Sequence, residues 1–367
     1  MRRGVFAVLI LMAGLMAGCS DRTELDDSTL ITITGMDLAD NGKLAVTGMV
    51  LDFNEESPSQ EILLSSTGKT LRENRSLLSS KIGGEFLSGK LQIVIVSKRL
   101  LKAERLLPHL DVAYRDPKIS NSALIVACDC SVNKLMDTKR SSQPILTEYI
   151  RKLIETGHAS EITVRSTMQH FHYMETEEGI TSSISEIKPV GKELAVVGTM
   201  LLGSDGKYAA HLSKEESMLL LLLKKQFTSP ASFTTSIQDE NHNKANVSLD
   251  INKAKVKVKT GYEEGNFVFR IHLPVVAEVV ELEGDFRVGA DKNQIEALLK
   301  EKLEEACRAL IAKLQMNRVD PIGYGLHARA FDYGHWKEVR SDWGKAFAEA
   351  DVKVSVTVAI DSFGVME

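Results

Sequence analysis

The sequence predicts a multidomain protein of α/β and α+β class, in which mixed and antiparallel sheets are each covered by helices. At 367 residues the chain is long enough for two or three domains, each with its own hydrophobic core. In the first half, short β-branched strands alternate with helical segments, which is typical of an α/β domain. Near the C-terminus, alternating stretches precede a long amphipathic helix, which predicts an antiparallel sheet covered by that helix.

The composition indicates a folded, acidic protein. Apolar residues make up 43% of the chain and charged residues 26%, which is close to the globular average and disfavours disorder. The formal net charge of −5 argues against a nucleic-acid partner, because such binding needs many Lys and Arg side chains facing phosphates.

The N-terminus predicts export and lipid attachment. Arg2 and Arg3 precede an uncharged apolar stretch that ends in small residues directly before Cys19, so residues 1–18 are expected to be a signal peptide. The string Leu15-Met16-Ala17-Gly18-Cys19 resembles a bacterial lipoprotein processing site, which predicts a diacylglyceryl cysteine carrying fatty acids such as palmitate. Two acyl chains would hold the chain on a lipid bilayer. An ordinary signal peptide with a coincidental Cys is the alternative.

Residues 19–185 are expected to form an N-terminal α/β domain, with a division into two lobes left open. Two β-branched runs flank Asn41-Gly42, a pair that favours a tight hairpin. Strands and helices then alternate, with one helix interrupted near Pro108 and a later one ending at Gly157. The expected ranges are helix 69–82, strand 91–96, helix 100–112, strand 122–127 and helix 144–156.

A linker is expected at residues 178–192, because this stretch is rich in Ser, Thr and Gly and contains Pro189. A middle region over residues 186–240 would follow, with a hairpin around Asp205-Gly206 and a helix opened by a capping box at residues 213–216. Residues 241–367 would form the C-terminal α+β domain. Its expected elements are strands 247–260, 267–273 and 275–282, a helix over 291–314 and a final strand over 352–360.

Motifs for enzymatic chemistry are weak in this sequence. Residues 84–90 satisfy G-x-x-x-x-G-K but lack the following Ser or Thr and precede a strand, so we predict no phosphate site. The cysteines at positions 128, 130 and 307 show no zinc-ligand spacing. Cys128 and Cys130 belong to a predicted buried strand, where we expect core packing, with metal or redox use as the alternative. We therefore predict a protein with no catalytic residue, no metal site and no cofactor.

Short motifs in a fixed order resemble the Ger(x)C lipoproteins, the C subunits of spore germinant receptors. The first lies directly after Cys19 and matches at Arg22, Glu24, Leu25 and Asp27. A strand then ends in Gly35 and Asp37, and Tyr114-Arg115-Asp116 lies between two later strands. The strongest match closes the chain, with Asp320, Gly323 and Gly325 after a long helix, followed by Trp336 and Trp343.

The resemblance implies a three-domain α/β protein on the outer face of the spore inner membrane, without known catalysis. It implies A and B membrane subunits as partners in detecting nutrients. Arg22, Glu24 and Asp27 lie close to the lipid and are candidate membrane or partner contacts. A folding role is expected for the other motif residues, namely Leu25, Gly35, Asp37, Arg115, Asp320, Gly323, Gly325, Trp336 and Trp343.

Two details of that folding role follow from spacing. Asp320, Gly323 and Gly325 are expected to form a helix-exit turn, and Trp336 and Trp343 lie seven apart, which could place them on one helix face. The leading hypothesis is a lipid-anchored, non-enzymatic subunit of a germinant receptor. The alternatives are an extracytoplasmic ligand-binding lipoprotein of an importer and, third, an envelope hydrolase.

Overall fold

The computed structural model describes residues 28–51, 61–82, 85–87, 89–138, 145–227, 230–286 and 290–364. The expected signal peptide, Cys19 and the neighbouring residues Arg22, Glu24, Leu25 and Asp27 lie outside these ranges, as do Gly84 and Ser88 of the G-x-x-x-x-G-K string. Within the described ranges, no helix is both long and apolar enough to cross a bilayer.

The first unit is a mixed sheet with helices on both faces. Its strands are β1 Ser28–Leu38, β2 Leu44–Leu51, β3 Glu61–Gly68, β4 Glu85–Leu87, β5 Ile93–Ser97, β6 Leu124–Cys128, β7 Ser183–Val190, β8 Glu193–Leu202 and β9 Tyr208–Leu212. Its helices are α1 Leu71–Ser79, α2 Lys98–Ala103, α3 Leu107–Tyr114, α4 Val132–Met136, α5 Leu146–Ala159 and α6 Met168–Thr176. The strands lie in the order β3-β2-β1-β5-β6-β7-β8-β9, and β4 also pairs with β1.

The centre of this sheet is parallel, from β1 through β5 and β6 to β7. Alternate residues of β5 face opposite cores: Val94 and Val96 pack with α1, α2, α3 and α6, whereas Ile93 and Ile95 pack with α4 and α5. Burial on both faces explains why the central strands are almost entirely apolar. The predicted α/β class of this half is confirmed.

The turns match the predictions from the sequence more closely than the ends of the helices do. The hairpin at Asn41-Gly42 is confirmed, since β1 and β2 pair antiparallel around it. Pro108 lies in the first turn of α3, and the interruption expected there falls between α2 and α3. The expected stop at Gly157 is wrong, because α5 continues to Ala159 and packs closely enough on β8 that a Cβ at Gly157 would lie 3.1 Å from Val196 Cγ2.

The expected linker at residues 178–192 is also wrong, because it contains β7, which pairs with β6 and β8. Two of its polar side chains are buried and have partners: Ser185 Oγ donates to the Val164 carbonyl at 2.5 Å, and Glu186 Oε2 lies 2.5 Å from His211 Nδ1. By strand pairing the described chain forms two units, the sheet of β1–β9 and a second sheet within residues 231–362, and the boundary expected after residue 185 falls inside β7.

The second unit is a five-stranded sheet with helices. Its strands are β10 Ala231–Gln238, β11 Lys244–Ala254, β12 Lys257–Glu263, β13 Asn266–Gly284 and β14 Asp351–Ser362. Its helices are α7 Lys214–Leu223, α8 Lys292–Met316, α9 Tyr324–Phe331, α10 Tyr333–Val339 and α11 Trp343–Glu349, with a 3₁₀ turn at Arg340–Asp342.

The long strand β13 organises this second sheet. It continues through Pro274, where two strands were expected, and β11 and β12 pair antiparallel with its two halves. The break between β11 and β12 lies opposite Pro274, whose carbonyl accepts the Lys255 N–H at 3.2 Å. The predicted antiparallel sheet is confirmed for β10 to β13, whereas β14 pairs with β13 in parallel after a crossover through α8 to α11.

Two helices build the core of the second unit. The capping box at Ser213 and Glu216 is confirmed, and it opens α7, whose apolar run is buried on all sides. The α7 residues belong to one core with parts of β8 and β9 and with the second sheet, so α7 bridges the two units. The long helix α8 buries its apolar stripe in the same core, as its periodicity predicts.

Two glutamates of α8 cover the free edge of β14. Glu304 Oε1 accepts the Val356 N–H at 2.9 Å, and Glu296 Oε1 accepts the Ile360 N–H at 2.7 Å. The spacing fits, because eight helical residues rise about 12 Å and four strand residues about 13 Å. These carboxylates therefore take the place of a neighbouring strand at this edge.

Replacing Glu296 and Glu304 together with Ala should destabilise the second unit by about 1–3 kcal/mol for each strand N–H left without a partner. Thermal unfolding followed by circular dichroism measures the loss, and light scattering measures any association through the uncovered edge. Glu305→Ala is the matched control, since Glu305 is exposed and forms an ion pair with Lys302 of the same helix. An equal melting temperature for the double variant and the control would contradict this role.

Candidate functional site

The carboxylate of Asp37 joins three elements at the C-terminal end of β1. Its Oδ1 accepts the Ser97 hydroxyl at 2.5 Å, and Ser97 also caps the N-terminus of α2. Its Oδ2 accepts the backbone N–H of Val132, the first residue of α4, at 3.2 Å, and Arg99 Nε lies 3.3 Å from Oδ1. The Asp37 cluster, defined as Asp37, Ser97, Arg99 and Val132, thus fixes two helix N-termini against the parallel strands.

Gly35 allows α4 to pack directly on β1. A Cβ at this position would lie 2.2 Å from Val132 Cγ1 and 2.9 Å from Met136 Sδ. Any side chain there would push α4 away from the strand and would lengthen the bond between Asp37 and Val132.

The carboxylate of Asp320, between α8 and α9, is fully buried and holds a second cluster. Its Oδ1 accepts the Gly323 N–H at 2.8 Å. Its Oδ2 accepts both the Gly325 N–H and the Trp343 Nε1–H, each at 2.8 Å. The Asp320 cluster, defined as Asp320, Gly323, Gly325 and Trp343, therefore ties the start of α9 to α11.

The charge at this cluster lies in a poorly solvated environment. Burial raises the pKa of the Asp320 carboxyl above its usual value, and the N–H donors from Trp343 and the α9 backbone oppose that shift. Lys224, directly after α7, donates from Nζ to the Pro321 carbonyl at 2.6 Å. Burial lowers the pKa of Lys224 from 10.5 to about 8, and attraction by Asp320 opposes this effect.

The same cluster fastens the two units to each other. The Thr181 N–H, in the connection before β7, donates to the Asp320 carbonyl at 3.0 Å. Gly179 and Gly325 meet so closely that a Cβ at Gly325 would lie 2.4 Å from Gly179 Cα. Arg329 of α9 pairs with Glu177 of the same connection. The first unit is therefore held to α9 by backbone contact as well as by charge.

Trp343 also links the cluster to the second core. Its ring packs against Phe267 with centroids 5.4 Å apart and against Phe347 at 6.4 Å. Tyr324, the first residue of α9, stacks on Phe269 at 5.0 Å. Because Asp320 is fully buried and both its oxygens already accept N–H groups, the arrangement is suited to fixing geometry rather than to meeting a substrate.

The structure separates some of the motif residues. The expectation that Trp336 and Trp343 share one helix is wrong, because α10 ends at Val339 and a 3₁₀ turn precedes α11. Trp336 is buried under Arg329, whose Cζ lies 5.6 Å from the ring. Arg115 is exposed and pairs with Asp111 four residues earlier at 2.8 Å, a contact that contributes little to stability.

Sequence reasoning missed the other side of the junction. Gly179 and Thr181 lie in the stretch that was predicted to be a linker. Lys224 follows an apolar run for which the sequence predicted only burial in the core. The one available signal was the Lys directly after six apolar residues, where a charge at the end of a buried helix needs a partner. Within the described ranges, no three His, Cys, Asp or Glu residues are arranged to hold a metal ion.

Fold and junction together define a two-unit α/β protein whose units meet at the buried Asp320. Comparison with known protein families identifies the family to which the chain belongs. Residues 21–189 match the model of the spore germination protein N-terminal domain, and residues 197–364 match the spore germination B3/GerAC-like C-terminal domain. The chain belongs to this family of spore germination proteins.

Relatives and a solved structure agree with this assignment. Spore germination protein A3 of Bacillus subtilis (strain 168) is 23% identical, covering 95% of both chains. Spore germination protein KC of the same organism is 18% identical, over 94% of this chain and 92% of its own length. The crystal structure of the GerBC protein superposes with a TM-score of 0.59 at 18% identity, covering 89% of this chain and 96% of that one. That likeness shows a common fold.

Gly325→Ala should destabilise the protein by about 2–3 kcal/mol, because the new methyl group overlaps Gly179 and Trp343 across the junction. Gly334→Ala is the matched control, since nothing lies within 4 Å of a Cβ there and Ala favours the helix. Urea unfolding followed by tryptophan fluorescence measures both variants. Equal stability of the two would show that the close approach of Gly179 and Gly325 is unimportant.

Lys224 should make stability rise with pH between about 8 and 10.5. In that window unfolded Lys224 keeps a proton that the folded state has released, so raising the pH favours the folded state. Lys224→Met removes this gain, and its melting temperature should fall relative to wild type as pH rises through the window. The exposed neighbour variant Lys225→Met should follow wild type. A constant difference between Lys224→Met and wild type from pH 7 to 10.5 would refute the linkage.

Proposed function

We propose that this chain is a lipid-anchored, non-enzymatic C subunit of a spore germinant receptor, on the outer face of the spore inner membrane. It would assemble there with the A and B membrane subunits, and the receptor would respond to nutrients and trigger germination. The observation that carries this proposal is the family match, which runs through both units from residue 21 to residue 364. The match favours a receptor subunit over an importer lipoprotein or an envelope hydrolase.

Lipid attachment at Cys19 rests on the string Leu15-Met16-Ala17-Gly18-Cys19 after an apolar stretch. Eight residues lie between Cys19 and Ser28, where β1 begins, so the nine residue-to-residue steps of the tether could span at most about 30 Å. A tether of that length would keep the first unit beside the bilayer and would raise its effective concentration near membrane partners. Weak contacts with those partners would then be sufficient for assembly.

Arg22, Glu24 and Asp27 lie within this tether, and we propose that they contact lipid headgroups or a partner subunit. The Asp320 cluster supports a further part of the proposal. Backbone and charge contacts at this cluster hold the two units in one relative position. A partner that bound either unit would therefore also fix the position of the other unit. The motif residues of both clusters would serve assembly by keeping that body in shape.

Cys19→Ala should release the protein from spore membranes and impair the nutrient response, because the acyl chains supply the membrane affinity. Fractionation of spore membranes with immunoblotting measures the first effect, and loss of optical density after nutrient addition measures the second. Mass spectrometry of the N-terminal peptide should show a diacylglyceryl cysteine in the wild type.

Cys130→Ala is the control, because it removes another partly accessible thiol without touching the tether. It should keep membrane attachment and nutrient response. If Cys19→Ala stayed fully membrane-bound with a normal response, or if the wild-type Cys19 carried no lipid, the tethering proposal would fail while the family assignment would stand.

A further inference from the structure

A cleft of about 190 Å³ opens where the two units meet, above the Asp320 cluster. Three segments line it: the connection between α6 and β7, the turn between β8 and β9 at Gly203 and Ser204, and residues 340–344 at the start of α11. An engineered cavity of roughly 150 Å³ admits a benzene molecule, so this cleft has room for a small organic molecule. Neither the proposed tether nor the family assignment gives it a role.

The cleft wall contains a polar group without a partner. Thr181 is 5% exposed, and its hydroxyl makes no hydrogen bond to any residue that the structure describes. Glu175, deeper in the same wall, accepts the Ser182 hydroxyl at 2.7 Å and faces Arg105. An unpartnered buried hydroxyl is costly, and a bound molecule with a hydrogen-bonding group would satisfy it.

Opposite charges stand at the opening of the cleft. Arg340 and Glu178 form an ion pair at 3.5 Å across it, one from each unit, and each side chain is about half exposed. An exposed pair at this distance is weak, so it can separate at little cost. When the two side chains separate, the Arg340 guanidinium can bind an anionic group and the Glu178 carboxylate can bind a cationic group a few ångströms away.

We propose that this cleft binds a small zwitterion of amino-acid size. The ammonium group would lie near Glu178, the carboxylate would pair with the Arg340 guanidinium, and a polar side group would reach the Thr181 hydroxyl. The flat ring of Trp343 lines the same space and would pack against the carbon skeleton. Because the binding groups come from both units, such a molecule would bridge them.

The test uses the intact chain in detergent with Trp336→Phe, which leaves Trp343 as the only tryptophan and places it at the cleft. The probes are L-serine, ethanolamine, which lacks its carboxylate, and 3-hydroxypropionate, which lacks its ammonium group. L-Serine should change the Trp343 fluorescence saturably and should bind at least tenfold more tightly than either single-charge analogue. Calorimetry on the wild-type chain repeats the comparison if Trp336→Phe fails to fold.

Arg340→Gln and Glu178→Gln should each weaken L-serine binding about tenfold, and Thr181→Val should weaken it to a smaller extent. Glu338→Gln is the matched control, since it removes an exposed carboxylate from the neighbouring helix outside the cleft. No saturable signal with L-serine, or equal binding of L-serine and ethanolamine, would overturn the proposal. Because binding is measured on purified protein, its failure would leave the Cys19 proposal untouched, and the reverse also holds.

Discussion

The carboxylate of Asp320 holds together the part of the second unit that meets the first unit. It is fully buried, and an ionised group in that position is stable only when its oxygens are satisfied. The N–H groups of Gly323, Gly325 and Trp343 satisfy it, so α9 and α11 must hold one arrangement around it. The close contact of Gly179 and the bond from Thr181 then bring the first unit into the same arrangement. The junction and the cleft beside it both depend on that arrangement.

The carboxylate of Asp37 has a similar structural role inside the first unit, where it holds two helix N-termini. Both carboxylates lie where a helix begins and accept backbone N–H groups, which is where a negative charge is favoured. In each case a glycine a few residues away removes the side chain that would block the approach of a neighbouring element. The recurrence of this pairing explains why Gly and Asp stand out among the motif residues of both units.

Much of the fold was predictable because local signals and tertiary structure agree. Alternation and turn residues gave the β1–β2 and β8–β9 hairpins, and periodicity gave α8. The errors have a common physical origin. The serines of β7 predict a linker by composition, but long-range contacts bury them in a sheet. The direction in which β14 pairs with β13 has no local sequence signal. Likewise Asp320, Gly323, Gly325 and Trp343 were recognisable as a motif, but Gly179 and Thr181, about 140 residues earlier in the chain, were not.

The pairing of β14 with β13 also bears on the order in which the protein matures. The two strands are separated by the four helices α8 to α11, so the central strand β13 lacks its parallel neighbour until residues 351–362 have been synthesised. Until then one edge of β13, from Val268 to Glu278, has backbone hydrogen-bonding groups without a strand partner. A chain that ended before β14 would therefore expose this edge of β13, whereas the first sheet could already be complete. Completion of the second sheet, unlike that of the first, therefore waits for β14 to be synthesised.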